Sequence, residues 1–276
     1  MKDKTAKKLP AQDEELSFWD HLEVLRFALL RSIVAIIIIA GVAFYYTGFI
    51  YNTVILGPKD PNFITNRLFC ELSQKVDIQS LCINQQQVKL NNFEMAGQFT
   101  NNLLIVFVAG LIMAMPYVLT ELWLFVRPAL TLKERKGTRG FVAITSFLFT
   151  VGIAFGYFLV APLAVNFLLN WTLSPDIQNT IRLGSYIRTV VMTSLAAGLV
   201  FELPIVIYFL AKAGLVTKSL LKEYRKHAIV GFFILAAVIT PPDMISQFLV
   251  ALPLIGLYEI SIFITGRVER NRVDDL

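Results

Sequence analysis

Residues 141–169, FVAITSFLFTVGIAFGYFLVAPLAVNFLL, contain no charged side chain. A helix of roughly 20 mostly apolar residues crosses the ~30 Å hydrocarbon layer of a bilayer, so this stretch is long enough to span one with some tilt. Similar runs lie on either side. Residues 99–125 form a second span interrupted by Glu121, and residues 28–50 form the first, with Arg31 one turn in. Beyond the opening stretch, residues 189–210 contain Glu202, residues 228–240 are short, and residues 244–265 contain Gln247 and Glu259. The expectation is an all-α membrane protein of six spans. Composition agrees: 56% of the 276 residues are hydrophobic and 16% charged, with a mean hydropathy of +0.63. A water-soluble domain carries about 25% charge, and a shell this poor in charge could not cover a soluble core. A soluble enzyme is excluded on that ground.

The net charge of +5 does not indicate nucleic acid, because the basic residues fall between the apolar runs. Of 25 Lys and Arg, 19 lie before or at Arg31, between Arg127 and Arg139, between Lys212 and Lys226, or from Arg267 onward. Lys59, Arg67, Lys75, Lys89, Arg182 and Arg188 are left for the other side. The positive-inside rule then puts both termini in the cytoplasm. Residues 1–26 are polar, and the apolar run behind them is too long for a signal-peptide core, so the first span should stay as an anchor. This divides the chain into a cytoplasmic segment 1–27 with an interfacial helix, a six-span domain 28–266 and a cytoplasmic tail 267–276. The long first outer loop, residues 56–98, opens on Gly57-Pro58 and Asp60-Pro61 and should form a small folded cap. The link 241–243 is too short to emerge far from the membrane, which truncates the last two spans or thins the bilayer.

Catalytic constellations are missing. His21 and His227 belong to no H-E-x-x-H arrangement, no phosphate-cradling glycine loop ends in Gly-Lys-Ser/Thr, and Gly184-Ser185 is a poor site for an intramembrane serine nucleophile. Neither an enzyme nor a bound cofactor or metal is expected. Cys70 and Cys82 share the outer loop, where an oxidising compartment permits a disulfide; two partly buried thiols are the plainer alternative.

Glu202, in LVFELP at 199–204, is the most informative single residue. A charged acid at mid-span costs about 2.5–3.5 kcal/mol on insertion scales, so it faces protein, water or another helix, or is held neutral. Pro204 should kink the helix beside it. The plainer reading is a Glu that is interhelical glue. Gln247 and Glu259, 12 residues apart, lie roughly 120° from each other at about 100° per residue. Gly152 and Gly156 permit close helix approach. A proton-coupled transporter of a small solute, with Glu202 carrying the proton, is the competing functional class; it predicts an internal repeat, and none is visible. A structural scaffold for other membrane proteins is a further alternative.

Taken together, the residues resemble the TatC family, the receptor subunit of the twin-arginine protein translocase. Phe18, His21-Leu22 and Leu25-Arg26 resemble the family's F-x-x-H-L-x-E-L-R opening. Pro116, Trp123, Phe125, Pro128-Ala129-Leu130 and Glu134-Arg135 resemble the exit of its second helix. Phe201 to Pro204, Ala213-Gly214 and Arg225 resemble its fourth helix and following loop, and Thr240 to Asp243, Ser246-Gln247, Pro253 and Tyr258-Glu259 its last hairpin. The resemblance implies a concave, glove-like bundle in the cytoplasmic (inner) membrane that binds signal peptides bearing paired arginines. It implies single-span TatA- and TatB-type partners, self-association in a larger complex in membrane lipid, and drive from the proton-motive force. Carried over, Phe18, His21, Glu23, Arg26, Glu121, Phe125 and Glu134 are signal-peptide residues. Glu202, Pro204, Asp243, Gln247 and Glu259 belong to the concave face or contact partner helices. Val24 stands where the family has an acid, leaving the neighbouring Glu23, and Glu121 stands where a glutamine is usual.

Overall fold

The computed structural model describes residues 18–78, 82–85, 89–126, 138–174, 176, 179–240 and 244–273. Among these, the ordered elements are helical. Helix α1 (Phe18–Tyr45) runs unbroken from the expected interfacial segment into the first span, with no break at residue 27. A turn at Tyr46 leads through α2 (Thr47–Phe49) into a π-helical turn at Ile50–Ile55. The outer loop holds α3 (Ile64–Val76), and α4 (Gly97–Val126) returns through the membrane. The third span is α5 (Thr138–Phe155), a π turn at Gly156–Val160, and α6 (Ala161–Asn170). The fourth is α7 (Leu183–Val200) followed by α8 (Leu203–Lys212); α9 (Lys218–Glu223), α10 (Arg225–Ile239) and α11 (Met244–Val273) complete the chain.

Five of these stretches are long and apolar enough to cross a membrane. The remaining span, α10, fifth in chain order, has 15 residues, or about 22 Å at 1.5 Å per residue, short of the ~30 Å hydrocarbon layer. Its partner α11 starts at Met244, so the expected truncation falls on α10 alone; the link 241–243 lies outside the described residues. The fourth span starts at Leu183, six residues before the expected 189. Arg188 interrupts the uncharged run there without interrupting the helix.

Packing divides the bundle into two apolar clusters. One joins Ile55, Ile105, Val108, Val165, Tyr186 and Ile187 near the outer loop. The other joins Val160, Phe201, Phe232, Val250, Leu254 and Tyr258 from the third span onward. Small residues set the close approaches. A Cβ on Gly152 would lie 2.8 Å from the Gly198 Cα, and one on Gly156 would lie 2.7 Å from the Ala197 Cβ, so α5 and α7 cross at the Gly-x-x-x-Gly pair. A Cβ on Gly110 would lie 2.8 Å from the Ala40 Cβ, which brings α1 against α4. The far side of α1, including Ile33, Ile37 and Ile38, is exposed in the protein and is suited to lipid.

Prolines explain several irregularities. Pro162 has no N–H for the carbonyl four residues back, and that carbonyl, Phe158 O, accepts from the Thr65 hydroxyl instead. The vacancy in the third span thus becomes an anchor for α3. Two more hydroxyls hold the same end: Tyr157 donates to Val54 O at 2.7 Å and Tyr186 to Ile55 O at 2.8 Å. The cap is folded, as expected of the loop. Asn66, fully buried, donates to the Pro58 and Asp60 carbonyls at 3.1 and 2.7 Å. The Asn84 amide lies 3.0 Å from Pro162 O and 3.2 Å from Asn66 Oδ1. A disulfide joins Cys70 to Cys82. Asn91 accepts from Leu183 N and donates to Ile181 O, both at 2.9 Å, tying the end of the loop to the start of α7.

Candidate functional site

Two places hold the residues singled out by sequence. The first is the end of the bundle where α1 begins and α4 ends. Glu121 is 6% exposed, yet it is one turn before the helix end. Its Oε1 accepts from the Tyr117 hydroxyl at 2.8 Å, and its Oε2 lies 3.0 Å from an Arg31 guanidinium nitrogen. The acid is therefore engaged by the chain's own arginine. Glu121, grouped by sequence with Glu134 and Glu23, thus already has a partner within the chain, a contact set by the register of α1 on α4. Arg31 itself keeps 57% of its side chain exposed, so the pair sits at the edge of the interface.

Phe125 lies four residues beyond Glu121 and so on the same face of α4; it is half-buried. Trp123 points inward, its ring 4.1 Å from Phe141, and Phe141 meets Phe209 at 5.1 Å. This aromatic group fixes the end of α4 against α5 and α8. On α1, Glu23 and Arg26 are exposed one to two turns from Arg31, towards the same end as Phe125. Phe18 and His21 lie in the first turn of α1, and their side chains lie outside the described residues, as do Glu134 and Asp243.

The second place is the break in the fourth span. The expected kink is present: α7 stops at Val200, α8 starts at Leu203, and Pro204 occupies its first turn. Glu202 sits in the break at 9% exposure, and neither carboxylate oxygen has a hydrogen-bond partner among the described residues. Such groups are rare in folded proteins, where buried polar atoms are nearly always paired. Interhelical glue does not describe it.

Gln247 and Glu259 do not join Glu202. Gln247 donates to Phe233 O at 2.9 Å, closing the α10–α11 hairpin, while Glu259 pairs with Arg225 at 2.7 Å. The 12 residues between them place these contacts about 18 Å apart along α11. Beside Glu259, the Tyr258 hydroxyl donates to Leu221 O at 2.8 Å, and Glu269 accepts from Lys218 N at 2.7 Å. Sequence reading missed Arg31 as the partner of Glu121 and Arg225 as that of Glu259. Each acid-base pair was visible in composition, but which helices meet was not.

A helical bundle with five long apolar stretches, a shorter sixth and a folded loop at one end is a multi-pass membrane protein. Residues 20–253 match the family described as TatC, Sec-independent protein translocase protein. A Sec-independent protein translocase protein TatC of Blattabacterium sp. subsp. Periplaneta americana is 35% identical over 263 residues, 95% of this chain and 99% of that one. One from Carboxydothermus hydrogenoformans is 35% identical over 92% of this chain and 94% of its own length. Two crystal structures described as the twin-arginine translocase receptor TatC superpose with TM-scores of 0.66 and 0.69, at 32% identity and covering 90% and 89% of this chain and 99% of each of theirs. This chain belongs to the TatC family of protein translocase components.

Proposed function

We propose that this protein is the receptor for twin-arginine signal peptides in a translocase that exports folded proteins across the cytoplasmic membrane. Exposed Glu23 and half-buried Phe125 share one end of the bundle, the end at which the chain concentrates its Lys and Arg, and this observation carries the reading. With that end cytoplasmic, both termini are cytoplasmic and the cap faces outward. A basic rim repels an arginine pair unless acids are presented on it. Arginine keeps its charge and pairs bidentately with carboxylates. Glu134, Glu23 and Glu121, the last already beside Arg31, are the proposed acids for that role, with Phe125 as a proposed aromatic neighbour of the guanidinium groups. Phe18, His21 and Arg26 are proposed to contribute to the same peptide-binding role.

Glu202 then serves a later step. Its unpaired carboxylate awaits a donor from a partner helix or from water in the concave face, beside Pro204. Single-span TatA- and TatB-type proteins are the proposed partners, with Asp243, Gln247 and Glu259 as proposed contacts, and the proton-motive force is the proposed energy source. The protein acts by binding and assembly, in a complex with further copies of itself, and not by covalent catalysis.

A photoreactive group placed beside the paired arginines of a signal peptide tests the receptor reading. Its adducts are expected on α1 or on the segment following α4, and a Lys-Lys peptide is expected to give few. Equal labelling by the two peptides, or adducts confined to the cap, would reject the reading.

A further inference from the structure

A cavity of about 930 Å³ opens at the cap end of the bundle between the starts of α4 and α7 and the end of α10. It lies at the opposite end from Glu121 and Phe125. Its walls differ by depth. Arg182, Arg188 and Asn101 line it beside the cap, while Leu104, Met192 and Val238 line its apolar side. Arg182 is compensated by Glu94, 2.5 Å away. Arg188 is exposed, and none of the described carboxylates pairs with it. It stands in the second turn of α7, inside a stretch apolar enough to cross the membrane. Near the cap end of a span an exposed arginine meets the headgroup layer, where the bilayer supplies phosphates as counter-charges.

Hydrogen bonding narrows the choice. The hydroxyls of Thr100, Thr189 and Thr240 donate to the carbonyls four residues back, Ala96, Ser185 and Ala236, at 3.1, 2.9 and 2.8 Å, so towards the cavity their oxygens can act as acceptors. Asn101 likewise donates to Gly97 O at 2.6 Å, leaving its Oδ1 to accept. The site thus combines one guanidinium with no acidic partner among the described residues, several acceptors for a ligand that carries hydroxyls, and an apolar wall for hydrocarbon. An arginine-bearing peptide does not suit a wall of this charge.

We propose that this cavity binds one anionic phospholipid of the outer leaflet, with its phosphate on Arg188, its hydroxyl-bearing headgroup against the acceptors, and acyl chain along Leu104, Met192 and Val238. The assignment of the leaflet rests on the topology proposed above. The lipid would fill the space between α7 and the short α10 and hold the outer half of the concave face open to the membrane.

Native mass spectrometry of the full-length protein, delipidated and then given equal phosphatidylglycerol and phosphatidylcholine, tests this. The wild type is expected to retain phosphatidylglycerol about fivefold over phosphatidylcholine: both carry the phosphate, but only phosphatidylcholine adds a cation that Arg188 repels, a cost of about 1 kcal/mol near a wet surface. Arg188→Gln should bring the ratio near one, Arg188→Lys should keep most of it, and Arg67→Gln, exposed on the cap helix, should leave it unchanged. Excess inorganic phosphate should not displace the lipid. An unchanged preference in Arg188→Gln, equal retention of the two lipids by the wild type, or displacement by phosphate alone would overturn the proposal. Binding of an Arg-Arg peptide to Arg188→Gln, measured in parallel, separates failure of this site from failure of the receptor reading.

Discussion

The cap and the break in the fourth span both bury polar side chains, and they treat them in opposite ways. In the cap, Asn66 has no exposed surface and donates to two carbonyls, and Asn84 bridges the loop to the third span. In the break, Glu202 is 9% exposed and both oxygens lack a hydrogen-bond partner among the described residues. A satisfied buried network specifies and rigidifies a structure, whereas an unsatisfied group is a cost that the fold carries for another purpose. The cap therefore has the character of a stabilising element, whereas the break carries an unsatisfied acid, the feature on which the proposed docking role of Glu202 rests.

Substitutions can break or sharpen that contrast. Asn66→Ala has the largest expected effect on stability. It removes both donations to the Pro58 and Asp60 carbonyls and the oxygen that accepts from Asn84, and at about 0.5–1.5 kcal/mol for each of these three hydrogen bonds a loss of about 1.5–4.5 kcal/mol is expected. Thermal unfolding in detergent would measure it, and a change under 1 kcal/mol would remove the cap's half of the comparison. Next comes the double replacement of Cys70 and Cys82 by serine. Opening a closed loop of this length should cost about 2–4 kcal/mol, with mass spectrometry under non-reducing conditions finding the two peptides linked in the wild type. Free thiols in protein made in its native membrane would contradict the disulfide.

Glu202→Gln should change stability least, by about 1 kcal/mol or less, because shape is kept and no hydrogen bond is broken. Export should nevertheless fall roughly tenfold, the factor that about 1.4 kcal/mol of lost docking energy gives. Folded protein in the membrane and export per molecule would be measured together. A large loss of folded protein with export per molecule intact would return Glu202 to a structural role.

These contrasts also mark what the sequence makes legible. Apolar runs locate the spans, because hydrophobic length is a local property. Glu202 stands out for the same reason, since an acid within a span is costly wherever it faces. The start of α7 was placed six residues late because Arg188 ends the uncharged run, although helix propensity tolerates arginine there. The polar network of Asn66 and Asn84 was invisible, because a loop rich in asparagine reads as surface until its folding brings carbonyls around it. Glu121 shows the same limit at the other end: its engagement with Arg31 depends on how α1 docks against α4, which no local pattern encodes.

The receptor assignment is tested most directly by titrating Arg-Arg and Lys-Lys signal peptides against the wild type and Glu134→Ala at one salt concentration. Hydrogen bonds to a charged group contribute about 1.5–3 kcal/mol, so loss of the acid should weaken Arg-Arg binding by roughly 10- to 100-fold. The Lys-Lys peptide should bind the wild type weakly and change little. Equal, small losses for both peptides would make Glu134 a solvated loop acid and would contradict the proposed site.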